Sequence, residues 1–110
     1  MKKFRQLTKY IGEMKRGKGE RLSVLFETDV YDFCDKNPQF DHLDYSETLK
    51  EKGINSLMPD LDFSTLDEKT VIALLIFANR AEHFSDGALN AFIKNGSILK
   101  CLERLAELDQ

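Results

Sequence analysis

Apolar residues recur along most of this chain at spacings of three and four, the period of a helix buried on one face. Phe4, Leu7, Ile11 and Met14 predict a first amphipathic helix over residues 2–15, stopped by the turn Gly17-Lys18-Gly19. Leu22, Leu25, Phe26, Val30 and Phe33 form the next stripe, with Ser23 as an N-cap candidate. That helix should end before Asn37-Pro38, because the residue before proline avoids the α region. Tyr45 and Leu49, followed by Gly53, suggest a short helix over 45–52. Asp44 or Ser46 would cap it, and Asp44 with Glu47 has the spacing of a capping box. Residues 54–63 contain Pro59 and no helical period, so they are expected to be loop.

The C-terminal half is patterned more sharply. Ser64-Thr65-Leu66-Asp67-Glu68 offers overlapping N-cap signals, including a Thr65/Glu68 box. The helix that follows should run through the apolar block 71–78 to about His83, and it is apolar nearly all round. Ser85 is a cap candidate for the next helix, 86–94, with Phe84 and Leu89 at hydrophobic-staple spacing and Leu89, Phe92 and Ile93 as its buried face. Asn95-Gly96 should end it in a left-handed C-cap, and Ser97 should cap a last helix whose buried stripe is Ile98, Cys101, Leu102 and Leu105. Connections this short make the three helices spatial neighbours. The expectation is an all-α chain: one domain over 1–110, a compact bundle of about five to six helices.

Composition supports a folded chain, with 42% hydrophobic and 32% charged residues and only 2 Pro and 6 Gly. The longest apolar run, 71–78, is far short of the roughly 20 residues that span a bilayer. No signal-peptide apolar region follows Met1-Lys2-Lys3, and Cys34 and Cys101 read as free thiols in a reducing cytoplasm rather than a disulfide. Charge is unevenly spread. Residues 1–21 hold eight bases against two acids, a net of +6, whereas residues 22–68 hold twelve acids against three bases, a net of −9. Either the basic end awaits an anionic partner, or the first helix packs beside its own acidic neighbour; the second is the simpler expectation. Eight Phe and three Tyr leave room for some apolar surface to serve a homodimer.

The segment Arg80-Ala81-Glu82-His83-Phe84-Ser85-Asp86-Gly87-Ala88-Leu89 carries an Arg-x-Glu-x-Phe step with a glycine three positions on. A second glycine, Gly96, comes nine later, then Ile98 and a closing Leu102-Glu103-Arg104-Leu105. In this pattern the chain resembles the domain-of-unknown-function family six-five-zero-eight over residues 64–108. The resemblance implies a short helical protein of bacterial or phage-like source. It carries no activity and no catalytic residues.

Phosphate loops, dinucleotide fingerprints, HExxH, CxxC and GxSxG are all missing from the sequence. Arg80, Glu82, His83 and Asp86 form the one dense group of reactive side-chain types. They suit either an acid/base pair or partial metal shell, or a joint tied by Arg80–Glu82 ion pairs with Asp86 at the next helix's first position. The structural alternative is expected, with no resident metal or cofactor. His42 beside Asp41 and Asp44 reads as solvated loop charge. Asp29, Asp32 and Asp35 read as a solvated face or as the counterpart of the first helix. The last two helices invite a helix-turn-helix interpretation, but Ser97, Lys100, Glu103, Arg104 and Glu107 mix both signs where a DNA reader should be basic. Three functions compete: a non-enzymatic interaction or regulatory module with a protein partner, nucleic-acid binding through Lys15, Arg16, Lys18 and Arg21, and a small metal-dependent hydrolase at residues 80–86. The first is expected.

Overall fold

Residue 71 opens a stretch so uniformly apolar that its helix must be wrapped on all sides, and the rest of the chain does this. The structure, a computed structural model, describes residues 3–16 and 21–110; the expected turn at Gly17-Lys18-Gly19 lies outside them. Among the described residues are eight α-helical segments, a single 3-10 turn and no strand. The helices are α1 (Arg5–Thr8), α2 (Ile11–Arg16), α3 (Leu22–Lys36), α4 (Pro38–Asp41), α5 (Tyr45–Glu51), α6 (Glu68–Phe84), α7 (Ala88–Lys94) and α8 (Ser97–Leu108), with the 3-10 turn at Phe63–Thr65 before α6. The expected all-α bundle is present. It has more segments than anticipated because the first helix is broken and one single-turn helix is added.

The break falls at Lys9–Tyr10, where the Tyr10 N–H bonds to the Leu7 carbonyl instead of continuing the helix. This turns Tyr10 inward in place of Ile11, so the buried stripe is Phe4, Leu7, Tyr10 and Met14. The Tyr10 ring meets Phe26 edge-on with centroids 5.4 Å apart. At the end of α3, Asn37 Nδ2 donates to the Phe33 carbonyl at 2.7 Å. Pro38 then stands in the first turn of α4, where a missing N–H does no harm. That single turn drives Phe40 onto Phe33 and Phe4, with centroids 5.7 and 6.4 Å away. In α3, Leu25 is 49% exposed rather than core, and Ser23 lies inside the helix rather than capping it.

Asp44 caps α5 as expected, accepting from the Glu47 N–H at 3.0 Å. The irregular stretch after Gly53 is pinned by buried Leu57 and by α8, from which Lys100 Nζ reaches the Pro59 carbonyl at 2.6 Å and Arg104 Nε the Leu66 carbonyl at 2.8 Å. At the head of α6 the Thr65/Glu68 box does not form, because Thr65 belongs to the 3-10 turn. Asp67 is the cap, accepting from the Thr70 N–H at 2.9 Å and its hydroxyl at 2.6 Å. Helix α6 packs against α3, α5, α7 and α8. The two ends of the chain also meet: the Asp109 carboxylate accepts the backbone N–H of Lys3 at 3.0 Å and of Phe4 at 2.8 Å, at the start of α1.

Helix α8 buries Ile98, Cys101, Leu102 and Leu105, the stripe read from the sequence. Gly96 precedes it at φ 88°, a left-handed backbone that favours glycine. Ser97 is the first helical residue and is fully buried; the capping acceptor is Asn95 Oδ1, which takes the Ser97 N–H at 2.9 Å and hydroxyl at 2.6 Å. Removing a side chain from this packed layer leaves a cavity. Leu102→Ala is expected to lower stability by about 2–5 kcal/mol, read as a fall in the urea midpoint at constant slope.

Candidate functional site

The α6–α7 joint carries the four charged candidates, and the structure gives each a separate role. Glu82, half-buried on the last turn of α6, accepts from the Gly87 N–H through Oε2 at 3.2 Å and from the Leu89 N–H through Oε1 at 2.9 Å. Its carboxylate therefore caps α7, whose first amides have no partner within their own helix. Gly87, at φ 92°, makes the reversal. The expected cap and staple do not form. Ser85 closes α6 with its N–H on the Ala81 carbonyl, α7 starts at Ala88 rather than 86, and Phe84 is 79% exposed.

Nor do Arg80 and Glu82 tie the joint together by an ion pair. The Arg80 guanidinium lies over the Phe84 ring, 6.0 Å from its centroid, and the His83 ring meets Phe84 edge-on at 5.5 Å. Asp86 is exposed and precedes α7 rather than opening it. The metal shell of His83, Glu82 and Asp86 is not assembled: among the described residues no group of three or more His, Cys, Asp and Glu could hold a metal ion.

The basic N-terminal end is partly occupied by the chain's own acids. Lys9 lies 3.4 Å from Asp29, and Lys3 lies 2.7 Å from Glu68. Gln6 donates to both Asp29 and Asp32, and the Tyr10 hydroxyl donates to Asp29. Lys15, Arg16 and Arg21 stand exposed, while Lys18 lies outside the described residues. Burial works against the Asp29 carboxylate, but the Gln6 and Tyr10 hydrogen bonds and the Lys9 charge outweigh it and hold its pKa below the ordinary 3.8. Burial, with the Asp29 contact, pushes the Tyr10 hydroxyl up.

The remaining candidates are the two cysteines, His42 and the outer positions of α8. Burial pushes the Cys34 thiol up to about 11, with the Asp41 charge adding to the effect. Cys101, fully buried, is raised further by the same desolvation, so neither thiol is a ready nucleophile at neutral pH. His42 is exposed, 4.0 Å from Asp41. Of the presumed DNA-reading positions on α8, Ser97 is buried and Lys100 and Arg104 bind the carbonyls of Pro59 and Leu66, so residues 57–66 lie across that face.

What sequence reasoning missed is a cleft of about 440 Å³ between α3, the α4–α5 connection and α6. Val30, Cys34 and Phe40 are its buried apolar lining; Asp41, Asp44 and Arg80 are its charged residues, and Tyr31 and Tyr45 its aromatic walls. Asn79 also lines it, only 1% exposed. Its Nδ2 donates to the Glu27 carbonyl at 3.2 Å, whereas its Oδ1 has no hydrogen-bond partner among the described residues. The available signal was Asn79 itself, an amide directly after the apolar run 71–78 on a helix that is buried nearly all round. Its companions come from three separate stretches, 30–34, 40–45 and 76–80, which no local pattern connects.

The fold and these features define a compact helical protein built around one continuous apolar core. The model of a family of unknown function (DUF6508) matches residues 26–110, and the chain belongs to that family. The match reaches well beyond the segment 64–108 that carries the resemblance, taking in most of α3. No curated protein and no solved structure matches the chain. Among the described residues no helix is long and apolar enough to cross a membrane.

Two outcomes follow from these roles. Glu82→Ala should lower stability by about 1–2 kcal/mol through loss of the α7 cap, with Glu82→Gln costing less, because its amide oxygen can still accept. His83→Ala should stay within about 0.5 kcal/mol, since the residue is exposed and its ring lies against the exposed Phe84. Because the Asp29 pKa is depressed in the folded state, its stabilisation is fully present above 3.8 and is lost as pH falls through the lower folded value. The stability gap between wild type and Asp29→Asn, from urea titrations at successive pH values, should narrow below that point.

Proposed function

We propose that this chain is a non-enzymatic interaction module whose α3–α6 face receives a protein partner. The single observation that carries the reading is the cleft between these helices, bordered by apolar side chains that the core leaves exposed. Tyr31 is 50% exposed within the cleft, and Val24 and Phe84 are exposed beyond it on α3 and α6. Asn79 meets Glu27 while Ile76 shares the cleft with Val30 and Tyr31, so α3 and α6 run antiparallel and Val24 falls toward the end of α6 that carries Phe84. Residues 24, 27 and 31 share a helical face. Aromatic side chains with an arginine are the residue types enriched in protein interfaces. The acids around the cleft suit a basic partner segment. The compartment this reading assumes is a bacterial cytoplasm, in keeping with the two buried free thiols.

A photo-reactive residue placed at position 31 or 84 in cells should yield one discrete crosslinked protein, absent when the same residue is placed at position 94 on exposed α7 surface. The crosslink should vanish on Asp41→Lys, which sets a cation among the acids that receive the basic segment. A crosslinked species indifferent to that change would overturn the reading, a product of two copies of this chain would replace the partner with a homodimer, and a turnover abolished by His83→Ala or Glu82→Ala would make the protein an enzyme.

A second reading has its own observation, the exposed bases Lys15, Arg16 and Arg21 at the N-terminal end. Nucleic-acid binding there predicts retention of DNA or RNA that weakens steeply with salt and disappears when these bases, with Lys18, are neutralised. No retention at about 50 mM salt would end it.

A further inference from the structure

We infer that the cleft beside Asn79 is a pocket for the guanidinium of an arginine side chain in a partner's basic segment; this rests on the interaction reading and names its chemistry. The argument starts from the unmatched atom. Among the described residues Asn79 Oδ1 is a buried acceptor without a donor, and leaving such a group unmatched costs about 1–3 kcal/mol. Its amide nitrogen is already committed to the Glu27 carbonyl, which fixes the orientation of the amide, so the missing group is a donor and not an acceptor. The charges of the cleft ask for a cation. Asp41 and Asp44 are both exposed, and Asp44 commits Oδ1 to the Glu47 N–H.

Arg80 offsets only part of this demand, because its guanidinium is drawn over Phe84, one turn further along α6, and it faces two carboxylates. Tyr31 and Tyr45 supply aromatic surface, on which a planar guanidinium stacks better than a compact ammonium. A guanidinium also carries five N–H donors in a fixed fork, enough to meet an amide oxygen and a carboxylate together. At about 440 Å³ the cleft has ample room for one long side chain.

The test uses the full chain and Nα-acetyl-L-arginine amide, which imitates an arginine within a polypeptide. Titration followed by NMR should give saturable shifts of the Asn79 side-chain amide and of Tyr31, Tyr45 and Ile76. The isosteric citrulline amide, uncharged, should give none. Asn79→Leu should weaken the arginine amide about tenfold, the loss of one charge-assisted hydrogen bond, while preserving the fold. Asp41→Asn with Asp44→Asn keeps a good cap on α5 and should remove the salt dependence of binding. Free L-arginine should bind no more tightly than the blocked amide, because the pocket receives the guanidinium and the α-ammonium and α-carboxylate charges cancel.

Absence of saturable shifts, equal shifts with citrulline, or binding indifferent to Asn79→Leu would overturn the pocket, and tighter binding of free arginine would assign it to a small molecule instead. A crosslink at position 84 that persists when the arginine amide fails to bind overturns the pocket alone. Arginine-amide binding without any crosslinked protein supports the pocket and overturns the partner reading.

Discussion

A helix that is apolar on nearly every side cannot meet water, and α6 is such a helix. Thr70 through Leu75, with Ala78 and Asn79, are all buried. Everything around α6 is a way of covering it. Helices α5, α7, α8 and α3 each take one side, and the covering helices are then held by the termini of their neighbours. Between α3 and the α4–α5 connection the cover stays open, and there the cleft lies beside Asn79.

Several acids and one amide of this chain are spent on helix starts. Asp44, Asp62, Asp67, Glu82, Asn95 and Asp109 each accept a main-chain N–H at or beside the start of a helical segment. Free helix N-termini are the chief electrostatic demand of a bundle made from short helices, and carboxylates meet it twice, by hydrogen bond and by the helix dipole. At the α6–α7 joint the Glu82 carboxylate meets this demand by holding the Gly87 and Leu89 amides.

Charge separation along the chain has a related resolution. The basic start lies against the acidic α3 and the head of α6 through Lys9 and Lys3, with Gln6 and Tyr10 adding hydrogen bonds to Asp29 and Asp32. The family match begins at residue 26, so α1 and α2 lie outside it, yet they bury Phe4, Leu7, Tyr10 and Met14 in the same core. Asp109 closes this arrangement from the far end of the chain.

Helical class, the central place of α6, the Asp44 cap, the glycine reversal at Gly96 and the inner stripe of α8 were all legible, because each depends on residues within one or two turns of one another. The break at Tyr10, the helical turn after Pro38 and the exposure of Leu25 and Phe84 were not. The first two were decided by distant partners: Phe26 and Asp29 for Tyr10, Phe4 and Phe33 for Phe40. The joints show the same division. Sequence placed turns at 84–87 and 95–97 correctly but assigned the caps to Ser85 and Ser97. Glu82 and Asn95 took those roles once the helix directions were set. The cleft lies wholly on the tertiary side, because its acids, aromatic rings and unmatched amide come from three segments that only packing brings together. Periodicity by itself determined which faces must be buried. Which side chains those faces would meet, and where the burial would stay incomplete, depended on contacts between residues far apart in the chain.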